Sequence, residues 1–160
     1  MLHEIEGDLQ GKGLKIAIVA SLFNDFVTRN LLSGAQEGLE QNGVVEEAIT
    51  LVWVPRSFEI ALIANTLGQT GRYDAVVCLG SVIRGETTHY DHVAEETAAS
   101  ISRTSLETNV PIIFGVLTTE NREQALSRAG GEIGNKGHDA ALAAIRMARL
   151  IRTLKEAHRG

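Results

Sequence analysis

At 160 residues, 44% apolar and 22% charged, the chain has the size and composition of one globular domain spanning residues 1–160. A net charge of -5 and only 4% aromatic residues give neither a basic field nor much stacking surface, which argues against nucleic acid as a partner. The acidic start MLHEIEGDLQGKG lacks the basic-then-apolar order of a secretory signal, and no apolar run approaches the ~20 residues of a membrane span, so a soluble, cytoplasmic protein without membrane association is expected.

Leu2 to Gly13 reads as an arm outside the main domain, which could pair as a strand with a neighbouring subunit. The run KIAIVA then predicts a first strand. Val27, Leu31, Ala35 and Leu39 recur every four residues behind it, which predicts a helix ending near Asn42-Gly43. ITLVWV predicts a second strand, broken by Pro55. Ser57 is the expected cap of a helix carrying Ile60, Ile63, Ala64 and Leu67 and ending before Gly71. AVVCLG predicts a third strand containing Cys78, the sole cysteine, which reads as a small buried side chain rather than a nucleophile. A helix over roughly Tyr90 to Leu106 follows, with Val93, Ala94, Ala98 and Ile101 facing inward. PIIFGV predicts a fourth strand, Asn121 to Arg128 a short helix, RAGGEIGNKG a glycine-rich loop, and roughly Asp139 to Ala157 a closing helix.

Strands that are apolar on both faces and alternate with helices imply a parallel sheet covered on both sides, because parallel strands need crossover connections. The expected fold is therefore α/β, a three-layer α/β/α sandwich with a four-stranded parallel sheet. Ligands in such sheets bind beyond the carboxyl ends of the strands, here Ser21 to Asn24, Pro55 to Glu59, Ser81 to His89 and Thr118 to Asn121.

The densest polar stretch, GSVIRGETTHYDHVAEE from Gly80 to Glu96, sits between a strand and a helix. Its glycines let backbone amides approach a ligand, Thr87 and Thr88 add hydroxyls, and the helix start presents a positive end, so a phosphate would fit; an ordinary capped turn suits the same residues. His89 at the mouth could move protons, since an unperturbed imidazole titrates near neutrality; a plain surface histidine is the alternative. His92 and Glu96 are four apart and with His89 could share a metal, although a solvated helix face explains them better and no metal site is expected. Phe23 could stack a flat heteroaromatic ring or simply pack in the core. Glu59 could accept hydrogen bonds from a polyol or favour its helix start. Arg128 and Lys136 flank the glycine-rich loop and could bind a phosphate or complement helix dipoles.

The stretches LGSVIRGETTHYDHV, GVLTTENREQALSRAG and GNKGHDAALAAIRMA, together with ASLFNDFVTRNLLSGA and WVPRSFEI, resemble those of the lumazine synthase family in the same order and at compatible spacings, from about Ile5 to Leu150. The resemblance implies a flavodoxin-like fold and a transferase that condenses a ribitylamino-uracil with 3,4-dihydroxy-2-butanone 4-phosphate, without metal or other cofactor, in riboflavin synthesis. Carried over by position, it implies that Phe23 stacks on the pyrimidine and that Ser57, Phe58, Glu59, Ser81, Val82 and Ile83 hold that substrate and its ribityl chain. It further implies that Glu86 and Thr87, with Arg128, surround the phosphate, and that His89 transfers protons. Phe114 and Lys136 match positions contributed across a subunit boundary, which implies a homo-oligomer with shared active sites. The family forms pentamers, and the short GGEIGNKG loop resembles the type that assembles into icosahedral shells, with riboflavin synthase as a further partner.

Two residues depart from the family pattern: Arg56 stands where glycine is usual and Ala61 where proline is usual. An arginine at a glycine position predicts either a strained turn and narrowed pocket, or a solvent-facing side chain, or an added cation near the polyol. A noncatalytic flavin- or lumazine-binding or shell-forming relative is the alternative to an active enzyme.

Overall fold

The four apolar runs form four parallel strands, β1 Ile16–Ser21, β2 Ile49–Val54, β3 Ala75–Ile83 and β4 Ile112–Thr119, in the order β2-β1-β3-β4. A computed structural model of the chain describes residues 1–157. Ile16 lies opposite both Ile49 and Ala75, and Val76 opposite Ile112, so every pair is in parallel register. The helices are α1 Asp25–Gln41, α2 Ile60–Gln69, α3 His89–Thr108, α4 Arg122–Ser127 and α5 Lys136–Ala157. Between α4 and α5 a small antiparallel hairpin joins β5 Ala129–Gly131 to β6 Gly134–Asn135.

Strand alternation sorts the core into two layers. Ile16, Ile18 and Ala20 of β1 and Ala75, Val77 and Leu79 of β3 pack with Leu31 of α1 and Ile145 of α5. Ala17, Val19, Val76 and Cys78 pack on the opposite face with Ile60 and Ala64 of α2 and Ile101 of α3. This is the expected three-layer sandwich, and its 2-1-3-4 order is flavodoxin-like. Of the inner strands, β1 is buried along its whole length and β3 over residues 75–81; β2 is an edge, and Thr50 and Leu51 are exposed there.

Local chemistry shifts several expected boundaries. Ser57 does not cap α2, because a 3-10 turn, Ser57–Glu59, intervenes after Pro55. The buried stripe of α3 runs through Thr97, Ile101 and Thr104, whereas Val93, Ala94 and Ala98 are half-buried. α5 begins three residues before the expected Asp139, since Oδ1 of Asn135 accepts the His138 amide at 3.1 Å and starts the helix inside the glycine-rich run. That run is an ordered hairpin, with positive φ at Gly130 (96°) and Gly134 (110°). Of the expected arm, residues 1–6 are exposed, but the rest is docked on its own chain. Arg146 donates to the Gly7 carbonyl at 3.2 Å, Arg149 donates to the Gln10 and Lys12 carbonyls, and the Gly11 amide donates to Asn42 at 2.7 Å. Among the described residues no helix is long and apolar enough to cross a membrane.

Helices α1 and α5 approach closely. A Cβ at Gly137 would lie 2.0 Å from the Leu31 carbonyl oxygen, and one at Gly38 would lie 3.1 Å from the Ala141 Cβ. Exchanging a helical glycine for alanine normally stabilises by about 1 kcal/mol. At Gly137 the sign reverses, because the methyl meets backbone that has to move: Gly137→Ala is expected to lower unfolding stability by about 1–3 kcal/mol in denaturant titration. Cys78 is fully buried, and burial pushes its thiol up to about 12, so at pH 8 it remains a protonated thiol rather than the reactive thiolate. We expect native protein to resist thiol-specific labelling at pH 8 and to react once unfolded; rapid labelling of the folded chain would contradict this burial.

Candidate active site

The carboxyl ends of β1, β2 and β3 enclose a cavity of ≈ 530 Å³. Phe23 and Asn24 follow β1, Arg56 to Glu59 follow β2, Ser81 to Ile83 end β3, and Gly85, Thr87 and His89 close the far wall. Two backbone hydrogen bonds, from the Leu22 amide to Val54 (2.8 Å) and from the Phe23 amide to Pro55 (3.0 Å), continue the β1–β2 ladder into the loops and fix their relative position. Asn24 precedes α1 in left-handed backbone (φ 62°), a conformation that asparagine tolerates. Its amide does not cap α1; Nδ2 donates to the Ser81 carbonyl at 2.9 Å, tying the β1 loop to β3. Phe23 and Phe58 are left about half exposed, an arrangement suited to a flat ligand rather than to core packing.

Beneath these rings lies a group of buried hydroxyls. Ser21 and Ser81 are buried with Oγ unpaired, and a Cβ at Gly80 would lie 2.6 Å from Ser57 Oγ and 3.0 Å from Ser21 Oγ. Glycine at position 80 makes room for this polar group beside the apolar sheet. Unmade hydrogen bonds at buried hydroxyls are costly, and the unpaired Ser81 Oγ belongs to a residue of the cavity lining, where a polar ligand edge would satisfy it; Ser57 lines the same wall.

The β3–α3 loop carries the polar residues to the rim. Thr88, the residue before α3, provides no side-chain cap; Thr87 Oγ1 accepts the His89 amide at 3.3 Å instead. The 20-residue helix α3 therefore starts at His89 with its positive end beside the cavity. Arg84 pins this loop: its guanidinium lies 3.2 Å from Asp91 and 2.8 Å from Glu120, and 4.4 Å from the centre of the Tyr90 ring. The two carboxylates hold the Arg84 charge more firmly than usual, against the opposing effect of desolvation. Glu86 is exposed on the same loop, outside the cavity lining.

Arg128 and Lys136 are elsewhere. They line a second cavity of ≈ 350 Å³ between the end of β4, the β5–β6 hairpin and the start of α5, together with Thr118, Asn135 and Asp139. Arg128 is held by its own chain, donating from Nη1 to the Gln124 carbonyl at 3.0 Å and to Ser127 Oγ at 3.3 Å, and it makes no ion pair among the described residues. Phe114 of β4 lines neither cavity; it is half-buried against the α2–α3 layer. Within one chain, then, Thr87 and Arg128 do not share a pocket.

Neither departure from the family pattern strains the backbone. Arg56 is extended (φ -141°, ψ 171°), which any residue adopts, and its exposed side chain lays the guanidinium 4.1 Å from the centre of the Phe23 ring. Ala61 is the second residue of α2, a first-turn position where alanine serves as well as proline. His92 is in the cavity lining and Glu96 exposed farther along α3; among the described residues no group of three or more His, Cys, Asp or Glu side chains could hold a metal ion.

Sequence reasoning missed the bracing by Asn24 and the Arg84 anchor. Asparagine between a strand and an acidic helix start was the available signal for the first; the Arg84 partners come from two separate elements, so spacing gave none. The parallel sheet, the ringed and hydroxyl-floored cavity and the rim at Thr87 and His89 accompany a match to the family model described as 6,7-dimethyl-8-ribityllumazine synthase over residues 13–152, and the chain belongs to that family.

Proposed function

We propose that this chain is an active 6,7-dimethyl-8-ribityllumazine synthase, condensing 5-amino-6-(D-ribitylamino)uracil with 3,4-dihydroxy-2-butanone 4-phosphate in riboflavin biosynthesis. The observation that carries this reading is the gathering of Phe23, Ser57, Glu59, Ser81 and His89 around one cavity at the carboxyl edge of the sheet. The pyrimidine stacks on Phe23, its polar edge meets the Ser57 and Ser81 hydroxyls and the β3 backbone at Val82 and Ile83, and Phe58 and Glu59 receive the ribityl chain. The substrate amine attacks the ketone, water leaves as the imine forms, phosphate is eliminated, and ring closure expels a second water. His89, at the rim, moves protons in the imine-forming and elimination steps, while binding both substrates in register supplies much of the rate.

The phosphate half requires a second chain. Thr87 and the start of α3 offer hydroxyl and amide donors, but the Arg128 cation lies in the other cavity with Lys136. Apposing the first cavity of one subunit to the second cavity of its neighbour brings Arg128, Lys136 and the β4 surface near Phe114 to the phosphate and ring. We read this as a cyclic pentamer, with the short β5–β6 hairpin compatible with further assembly into an icosahedral shell. The edge strand β2 and the exposed residues 1–6 offer additional strand pairing between subunits. A second reading, a noncatalytic ligand-binding or shell-forming relative, is favoured by one observation, the Arg56 guanidinium over Phe23. It differs in giving binding and assembly without turnover.

Phosphate release above the uncatalysed rate, only when both substrates are present, is the expected result; its absence would reject the enzyme. His89→Ala should lower kcat about 100-fold or more while the assembly remains intact. Arg128→Ala should chiefly raise KM for the phosphate substrate. Refolding equal amounts of these two variants together should restore activity at about one quarter of the sites, because random mixing rebuilds that fraction of interfaces from two unaltered halves. No recovery, with mixed assemblies verified by native mass measurement, would place Arg128 and His89 in the same chain's site and defeat the shared-site reading.

A further inference from the structure

Arg56 lines the cavity and sits 4.1 Å from the centroid of the Phe23 ring, within cation–π range. A flat ligand stacking on that face needs about 3.5 Å of its own, so guanidinium and ligand cannot occupy it together. The contact is not imposed by the backbone, which is extended at Arg56, and among the described residues the side chain makes no ion pair or hydrogen bond that would hold it there. The loops beneath are fixed by the Leu22 and Phe23 amide hydrogen bonds, so it is the arginine side chain, not the ring, that has to yield.

We propose that Arg56 is a specificity-determining cover on this aromatic platform. It occupies the Phe23 face in the free chain, leaves when a flat ring enters, and then donates to acceptors on that ring's edge. The inference rests on the reading of Phe23 as the platform for the flat substrate. A carbonyl-bearing pyrimidinedione gives the displaced guanidinium new acceptors in place of the lost ring contact. A plain phenyl ring displaces it and offers nothing in return. Arg56 therefore discriminates against acceptor-free aromatics at a position where a glycine would be indifferent.

The test compares two probes carrying the same polyol, 5-amino-6-(D-ribitylamino)uracil and N-(D-ribityl)aniline, by calorimetric titration of the assembled protein. Arg56→Ala should tighten the aniline probe about two- to fivefold, the magnitude of an exposed cation–π contact, without tightening the uracil probe. Arg56→Gln, which keeps most of the side chain but loses the charge, should do the same. In a Phe23→Leu background the Arg56→Ala effect should vanish. Unchanged aniline affinity, equal tightening of both probes, failure of the aniline probe to bind any variant, or an effect that persists without the Phe23 ring would each overturn the proposal. Phosphate release by the wild-type chain is measured alongside. Turnover with no change in aniline affinity rejects the cover and leaves the enzyme standing; selective tightening without turnover upholds the cover and rejects the enzyme.

Discussion

Parallel strand alignment is the constraint on which the rest of this molecule depends. Four strands running the same way bring all their carboxyl ends to one edge, and each connection has to cross over the sheet through a helix. Because crossovers are right-handed, moving from β1 outward to β2 places α1 on one face, whereas moving back to β3 and on to β4 places α2 and α3 on the other. The chain thus changes direction between β1 and β3, and the loops leaving those strands part to opposite sides. The cavity lies at this divide, with Phe23 and Asn24 on one lip and Ser81 to His89 on the other. Its position follows from topology; its chemistry comes from a few loop residues.

The same topology explains why the cationic groups stand apart. After β4 the chain returns to the α1 face, so the α4–hairpin–α5 segment carries Arg128 and Lys136 into the second cavity at the carboxyl end of β4. Arg128 is tied to Gln124 and Ser127 of the helix just before it, on the side of the second cavity. The proposed reaction draws on the hydroxyl and amide donors of one cavity and the cations of the other, which the shared-site proposal assigns to two neighbouring chains. In that reading oligomerisation is part of the catalytic design.

Residue-level departures from simple rules concentrate at the cavity. Asn24 surrenders its capping role to brace Ser81, Thr88 leaves α3 uncapped while Thr87 takes the His89 amide, and two buried serine hydroxyls lack partners. Each weakens local structure in exchange for polar groups positioned near a ligand space, the pattern expected where function competes with stability. By contrast the α1–α5 side is closely packed, with the two helices meeting at Gly38 and Gly137, where a Cβ at Gly137 would meet backbone.

The amino-acid sequence by itself determined the strands, their helices and the three-layer class, because continuous apolar runs and four-residue apolar periods are local, the first having to bury both faces and the second one stripe. It also determined the family and the carboxyl-edge segments, since short ordered motifs such as IRGETTH are contiguous. Only the tertiary structure decided that Ser57 is a buried hydroxyl under the cavity rather than a cap, that α5 starts at Lys136, and that residues 7–12 dock on their own helix. It alone separated Arg128 from Thr87 and set Arg56 upon Phe23 without backbone strain. Those outcomes join residues far apart in the chain or turn on one φ, ψ pair. Distances of that kind are fixed by how the layers pack, and no local pattern along the chain encodes them.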